Sequence, residues 1–294
     1  MKIVVTGATG FLARHLLPRL TAQGHVVSTL GRRPVEGRPF HAWSSSDVAP
    51  VEALDTTDAV IHLAGETVAQ RWTADVKRRI RSSRVDGTSN LVSALAKTSR
   101  KPAVLLAASA VGIYGDRGDE ILTETSVRGS GFLADVTAEW ESAARNAESH
   151  SIRVVNLRFG VILGSDGGAF PKMVMPFRLG AGGKLGSGTQ WMAWAHVDDA
   201  IELILFALES SVRGAVNVTS PNPLTNTEFT RLLAAALHRP AFVNVPAFAL
   251  RVALGEMSEA VLASVRAIPA VAQALGFRFK HADLAATLAD FTRH

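Results

Sequence analysis

The chain has 294 residues, 47% of them hydrophobic and 19% charged, with no cysteine and a formal charge of +5 at neutral pH. That length supports a large core in one domain with an appended lobe, and the lack of cysteine excludes disulfides, thiolate metal centres and a thiol nucleophile. No apolar run is long enough to span a bilayer and the first strand leaves no room for a cleaved leader, so a cytoplasmic location is expected.

The apolar, β-branched residues 3–6 predict a strand that runs into Gly7-x-x-Gly10-x-x-Ala13 and then a helix over 11–22, ended near Gly24. That spacing fits the strand–turn–helix that holds a dinucleotide pyrophosphate. Gly7 allows the tight turn, Gly10 lets backbone N–H groups approach phosphate, and Ala13 permits close packing of helix on strand. The helix N-terminus adds unpaired donors and partial positive charge. The plainer alternative is a glycine turn needed only for packing.

A second strand over 25–30 leads into Gly31-Arg32-Arg33. NAD sites usually carry Asp or Glu here to bind the ribose 2′-hydroxyl, but residues 1–35 contain no acid. A guanidinium instead suits a 2′-phosphate through charge-assisted hydrogen bonds. NADP is therefore the expected cofactor, with Arg32 as first contact and Arg33 as second; solvated loop charges are the alternative.

A weak strand at 40–43 precedes a strong one at 59–63, ending in Leu63-Ala64-Gly65, small enough for the backbone to pass beside the adenine ribose. The helix predicted over 75–96 carries the basic run from Lys77 to Arg84. Without interleaved aromatics this reads as a solvated face with an arginine reaching the cofactor, not as a nucleic-acid surface. A strand at 103–108 brings Ser109 and Tyr114, the chain's one tyrosine, to the end of a central strand. A helix at 133–148, a strand at 153–157, a helix at 197–208 with Asp198 and Asp199 in its first turn, and a strand at 215–218 continue the alternation. The pattern predicts an α/β fold with a Rossmann-like, doubly wound parallel sheet.

Beyond residue 168 the character changes. A glycine-rich stretch at 179–188, Trp191 and Trp194, and proline-broken short helices after 219 predict a smaller C-terminal substrate lobe. The lobe is interleaved: 1–168 form the dinucleotide-binding domain, 197–219 complete its sheet, and 169–196 with 220–294 form the lobe. Phe170, Trp191, Met192 and Trp194 either line an apolar substrate pocket or pack the lobe. His196 reads as a hydrogen-bonded core histidine, and no histidine spacing suggests a metal site.

The segments Thr6-Gly7-Ala8-Thr9-Gly10-Phe11-Leu12, His62-Leu63-Ala64-Gly65, 109–115, 194–199 and 216–221 together resemble the extended short-chain dehydrogenase/reductases, the group with sugar-nucleotide epimerases and dehydratases. Gly65-Glu66, Glu139-Trp140-Glu141, residues 157–164 and a C-terminal helical module over 246–291 are similar to an atypical, epimerase-like branch. The resemblance implies that Gly7, Thr9, Gly10, Phe11 and Leu12 hold the cofactor's diphosphate corner. It likewise assigns Gly31, Arg32, Arg33, Leu63, Ala64 and Gly65 to the adenosine half, Arg84 to a cofactor contact, and Phe159, Gly160 and Ile162 to the loop beside the nicotinamide.

The family's usual Tyr-x-x-x-Lys pair is absent. Gly118 stands four residues after Tyr114, and residues 133–148 hold neither tyrosine nor lysine. A positioned general acid contributes about 10² to 10⁴-fold in rate, so its loss matters. Ser109 and Tyr114 lie nearest to the catalytic positions, with His196 or a water held by Glu66 as other proton sources. Two functions stay open: an NADP(H)-dependent oxidoreductase or epimerase-like protein acting on a small carbonyl or hydroxyl compound, and an NADP(H)-binding sensor without turnover. No nucleic-acid or membrane partner is expected, and a monomer and a homodimer are equally compatible with the sequence.

Overall fold

The computed structural model describes residues 1–292. Its centre is a seven-stranded sheet built from β1 (Lys2–Thr6), β2 (Val26–Gly31), β3 (Phe40–Ala42), β4 (Ala59–His62), β5 (Val104–Ala110), β6 (Arg153–Phe159) and β7 (Gly214–Val218). The strands run in the order β7-β6-β5-β4-β1-β2-β3, and every neighbouring pair is parallel. This is the expected doubly wound fold. The order reverses beside β1, so the loops after β1 and β4 diverge around a crevice at the carboxyl ends of the strands, where such sheets bind ligands.

Helices cover both faces: α1 (Phe11–Ala22) and α4 (Val197–Glu209) one side, α2 (Ala74–Leu95) and α3 (Phe132–Arg145) the other. Alternation along β1 shows why. Ile3 and Val5 pack with Leu16, Leu20, Ile201 and Ile204, whereas Val4 packs with Leu30, Leu91 and Leu95. A strand buried on both faces reads as a continuous apolar run, which is what made β1 and β4 legible. Capping fixes where the later helices start: Thr73 Oγ1 accepts from Val76 N and opens α2, and His196 Nδ1 accepts from Asp198 N and opens α4.

Two differences from the sequence reading have local causes. The helix expected to reach residue 148 ends at Arg145 and tightens into a 3₁₀ turn over Asn146–His150. Ser151, at φ +61°, then swings the chain into β6. The strand expected to stop at 108 continues to Ala110, because β6 pairs with it as far as Phe159. The weak third strand forms along the edge of β2, Thr29 lying opposite Phe40.

Trp194 is wholly buried and Phe170 nearly so, in a cluster with Phe229, Leu233 and Leu288. These two side chains therefore form part of a hydrophobic core separate from those of the sheet. Residues near the C-terminus are stitched to the sheet by buried polar groups. Asp199 accepts hydrogen bonds from Lys280 N and His281 N at 2.9 Å each, and Asn217 Nδ2 donates to Ile268 O at 2.9 Å. Among the described residues no helix is long and apolar enough to cross a membrane.

Candidate functional site

The crevice beside β1 is a groove of about 440 Å³ lined by the glycine turn, the end of β2 and the end of β4. Gly7, Thr9, Gly10, Gly31, Arg32, Arg33, Leu63, Ala64 and Gly65 all face it. Gly7 adopts φ +67°, and a Cβ there would sit 2.7 Å from the backbone of Leu63 and Ala64. Only glycine lets the β1 and β4 loops meet this closely. At Gly10 a Cβ would reach 3.0 Å from Gly7 O. The Gly10 cap provides no side-chain acceptor, so the first N–H groups of α1 remain for a ligand.

Trp43, Ser44, Ser45 and Ser83 also line the groove and were not singled out in the sequence. The Trp43–Asp47 loop is held by Trp43 N donating to Gly31 O at 2.8 Å and Asn90 Nδ2 donating to Ser45 O at 3.0 Å. A Cβ at Gly87 would sit 2.7 Å from Ser45 Cβ, so this glycine admits the loop against α2. Such contacts span about forty residues and leave no local signature. The one acidic side chain lining the groove is Glu66, which accepts from Gln70 Nε2 at 3.2 Å.

Other expected cofactor residues lie outside this lining. The Phe11 ring is turned toward Gly164, Gly167 and Gly168, where a Cβ would come within 2.6 to 2.8 Å of it. Leu12, Phe159 and Ile162 are half-buried against the sheet core. At Gly160 a Cβ would sit 2.6 Å from Ala193 O, so this glycine serves close chain packing. Arg84 borders the groove, its Cζ 3.4 Å from where a Gly65 Cβ would stand. Its one hydrogen bond among the described residues goes to Ile80 O at 3.2 Å, and its guanidinium lies over the Trp140 ring at 5.1 Å. Burial pulls its pKa down to about 10, with Glu66 opposing, so the group stays charged at neutral pH.

Ser109 and Tyr114 belong to one buried hydrogen-bond network. The Ser109 hydroxyl is buried and donates to Glu141 Oε1 at 2.6 Å. Tyr114 is wholly buried, donates to Asn217 Oδ1 at 2.7 Å and accepts from Arg158 Nη1 at 2.9 Å. Burial raises the Tyr114 pKa, although Arg158 works the other way. In this structure the Tyr114 hydroxyl proton is directed at Asn217 Oδ1. Arg158 completes the network with paired bonds to Glu141, Nε to Oε1 at 2.7 Å and Nη2 to Oε2 at 2.9 Å. Burial opposes the charge on Arg158, but hydrogen bonds to Glu141 and its carboxylate charge outweigh that and hold the guanidinium protonated. Sequence reasoning quoted both residues in motifs and did not pair them.

His62, at the end of β4, is wholly buried between two hydroxyls, Thr6 Oγ1 at 2.7 Å and Thr88 Oγ1 at 3.0 Å. Burial lowers its pKa from 6.5 to about 4. The unfolded chain thus takes up this proton at higher pH than the folded one. The associated stability is complete above pH 6.5 and falls as pH drops toward 4. Between neutral pH and about pH 5 we expect this group to remove about 2 kcal/mol, read as a lower urea midpoint. A midpoint unchanged over that interval would contradict the assignment.

His196 behaves as a cap, accepting from Asp198 N at 3.0 Å. Its ring stacks on His281 at 3.8 Å and 16°, with Asp198 nearby. Stacked rings direct their in-plane lone pairs along separate, nearly parallel planes, which does not converge on one ion.

The chain matches the model of the NAD dependent epimerase/dehydratase family over residues 3–219 and that of a domain of unknown function, DUF1731, over residues 245–291. It is 41% identical over 290 residues to the epimerase family protein YfhF of Bacillus subtilis, covering 97% of this chain and 95% of that one. It is 39% identical over 291 residues to the chloroplastic SDR39U1 homolog of Arabidopsis thaliana, covering 96% and 84% respectively. Among solved structures it superposes on human epimerase family protein SDR39U1 (isoform 2) with NADPH, at TM-score 0.90 and 32% identity over 99% of each chain.

Proposed function

The chain belongs to the NAD dependent epimerase/dehydratase family, and from that premise we propose that it binds NADP(H) in the groove and acts as an epimerase-like oxidoreductase on a small carbonyl or hydroxyl compound. The observation that carries this reading is the meeting, in one groove, of the glycine turn, the uncapped start of α1 and the two arginines after β2. Backbone donors of the turn hold the diphosphate, and Arg32 with Arg33 recognises the 2′-phosphate. Arg84, half-buried and with Ile80 O as its side chain's one acceptor among the described residues, supplies a further positive charge at Gly65. That a relative of this fold, human epimerase family protein SDR39U1, was solved with NADPH supports this reading. The nicotinamide supplies hydride chemistry, and this chain's residues bind, orient and exclude water.

Arg32→Ala is expected to reduce the preference for NADPH over NADH by about tenfold, the scale of one charge-assisted hydrogen-bonding group. Paired dissociation constants for both nucleotides measure this directly. An unchanged ratio would remove Arg32 from the site.

The commitment of Ser109 to Glu141 and of Tyr114 to Asn217 favours a second reading, in which the protein holds NADP(H) without turnover and signals its occupancy. Incubation with deuterium-labelled NADPH and a broad carbonyl panel separates the two. Label transfer supports the enzyme; tight binding with no transfer supports the sensor.

A further inference from the structure

A buried chain of hydrogen bonds runs behind the Ala64–Gly65 side of the groove. At one end, Ala64 N donates to Thr6 Oγ1 at 3.2 Å, and Thr6 Oγ1 meets His62 Nδ1 at 2.7 Å. At the other end, His62 Nε2 meets Thr88 Oγ1 at 3.0 Å, and Trp140 Nε1 donates to that same oxygen at 2.9 Å. The Trp140 ring in turn lies 5.1 Å under the Arg84 guanidinium, which stands at Gly65. His62, Thr6 and Thr88 are all fully buried, and Trp140 is 5% exposed.

We propose that His62 and Thr88 are positioning residues for cofactor binding: through Trp140 they hold Arg84 against Gly65, while through Thr6 they hold the Ala64–Gly65 backbone beside it. The inference rests on the NADP(H) reading of the groove. In either neutral tautomer one ring nitrogen donates and the other accepts, so the imidazole links both hydroxyls whichever way its proton sits. Desolvation keeps that neutral form dominant near neutral pH. Trp140 must keep its indole N–H bonded, which fixes the ring plane and hence the face offered to Arg84. A guanidinium with one acceptor of its own depends on such a platform to stay aimed at a ligand.

The test is a double-mutant cycle on the full chain, with the NADPH dissociation constant as readout. Thr88→Val keeps the shape and removes the hydroxyl. It should weaken NADPH binding about tenfold in the unsubstituted background and less than about twofold in the Arg84→Ala background. Thermal stability should fall by the same amount in both backgrounds, since the lost hydrogen bonds are the same. Equal weakening of NADPH binding in both backgrounds, or none in either, overturns the proposal. Trp140→Leu gives the same comparison should Thr88→Val fold poorly. Failure of the unsubstituted protein to bind NADPH is a different result: it removes the cofactor reading itself, and this inference with it.

Discussion

Gly7→Ala abolishes useful NADPH affinity, raising the dissociation constant by about 100-fold or more. Two independent costs act at this position. The residue sits at φ +67°, where a non-glycine residue is strained by about 1 kcal/mol. The added methyl would also lie 2.7 Å from Ala64 N and from Leu63 C and O, all backbone atoms that no rotamer change can move. Relief requires the β1 and β4 loops to part, and those loops are two walls of the groove. Isothermal titration measures the affinity, and circular dichroism shows whether the sheet survives. Binding within about threefold of the native protein would mean that the turn does not hold the diphosphate.

Glu141→Ala gives the largest expected loss of stability, about 3 to 5 kcal/mol, the cost of leaving a buried charge unpaired. Arg158 is 8% exposed and Glu141 2% exposed, so water cannot replace the missing carboxylate. Ser109 loses its acceptor in the same step. A chain of this size shifts by roughly 2 to 4 °C per kcal/mol, so melting should fall by about 10 °C. Because Arg158 also donates to Tyr114 and has no other carboxylate partner among the described residues, the damage reaches the ends of β5, β6 and β7 together. Replacing the pair by apolar residues, Glu141→Leu with Arg158→Met, should recover part of the loss. A melting change below about 2 °C for Glu141→Ala would show the network to be solvated.

The fold was legible because its evidence is local. Doubly buried strands such as β1 and β4 are apolar throughout, and the glycine spacing at Gly7 and Gly10 lies within one turn. Arg32 and Arg33 follow β2 directly and could be placed from chain order alone. What escaped the sequence is contact between distant segments. The Trp43–Asp47 loop reaches the groove by docking on Gly87 and Asn90 of α2, and nothing within the loop announces that. Tyr114 and Ser109 were expected near the chemistry from strand position, yet whether a hydroxyl is free depends on Asn217 and Glu141, 103 and 32 residues away. Phe11 and Leu12 lie within the glycine-turn motif, whereas their side chains pack against residues 164–168 and the sheet core. A motif marks where the chain passes; the partners decide what each side chain does there.

The most direct measurement is titration of the purified chain with NADPH and with NADH at near-neutral pH and low ionic strength. The account predicts saturable binding of one NADPH per chain, with NADH weaker by at least about tenfold for want of the 2′-phosphate held by a guanidinium. Equal affinities, or no affinity for either nucleotide, would contradict it.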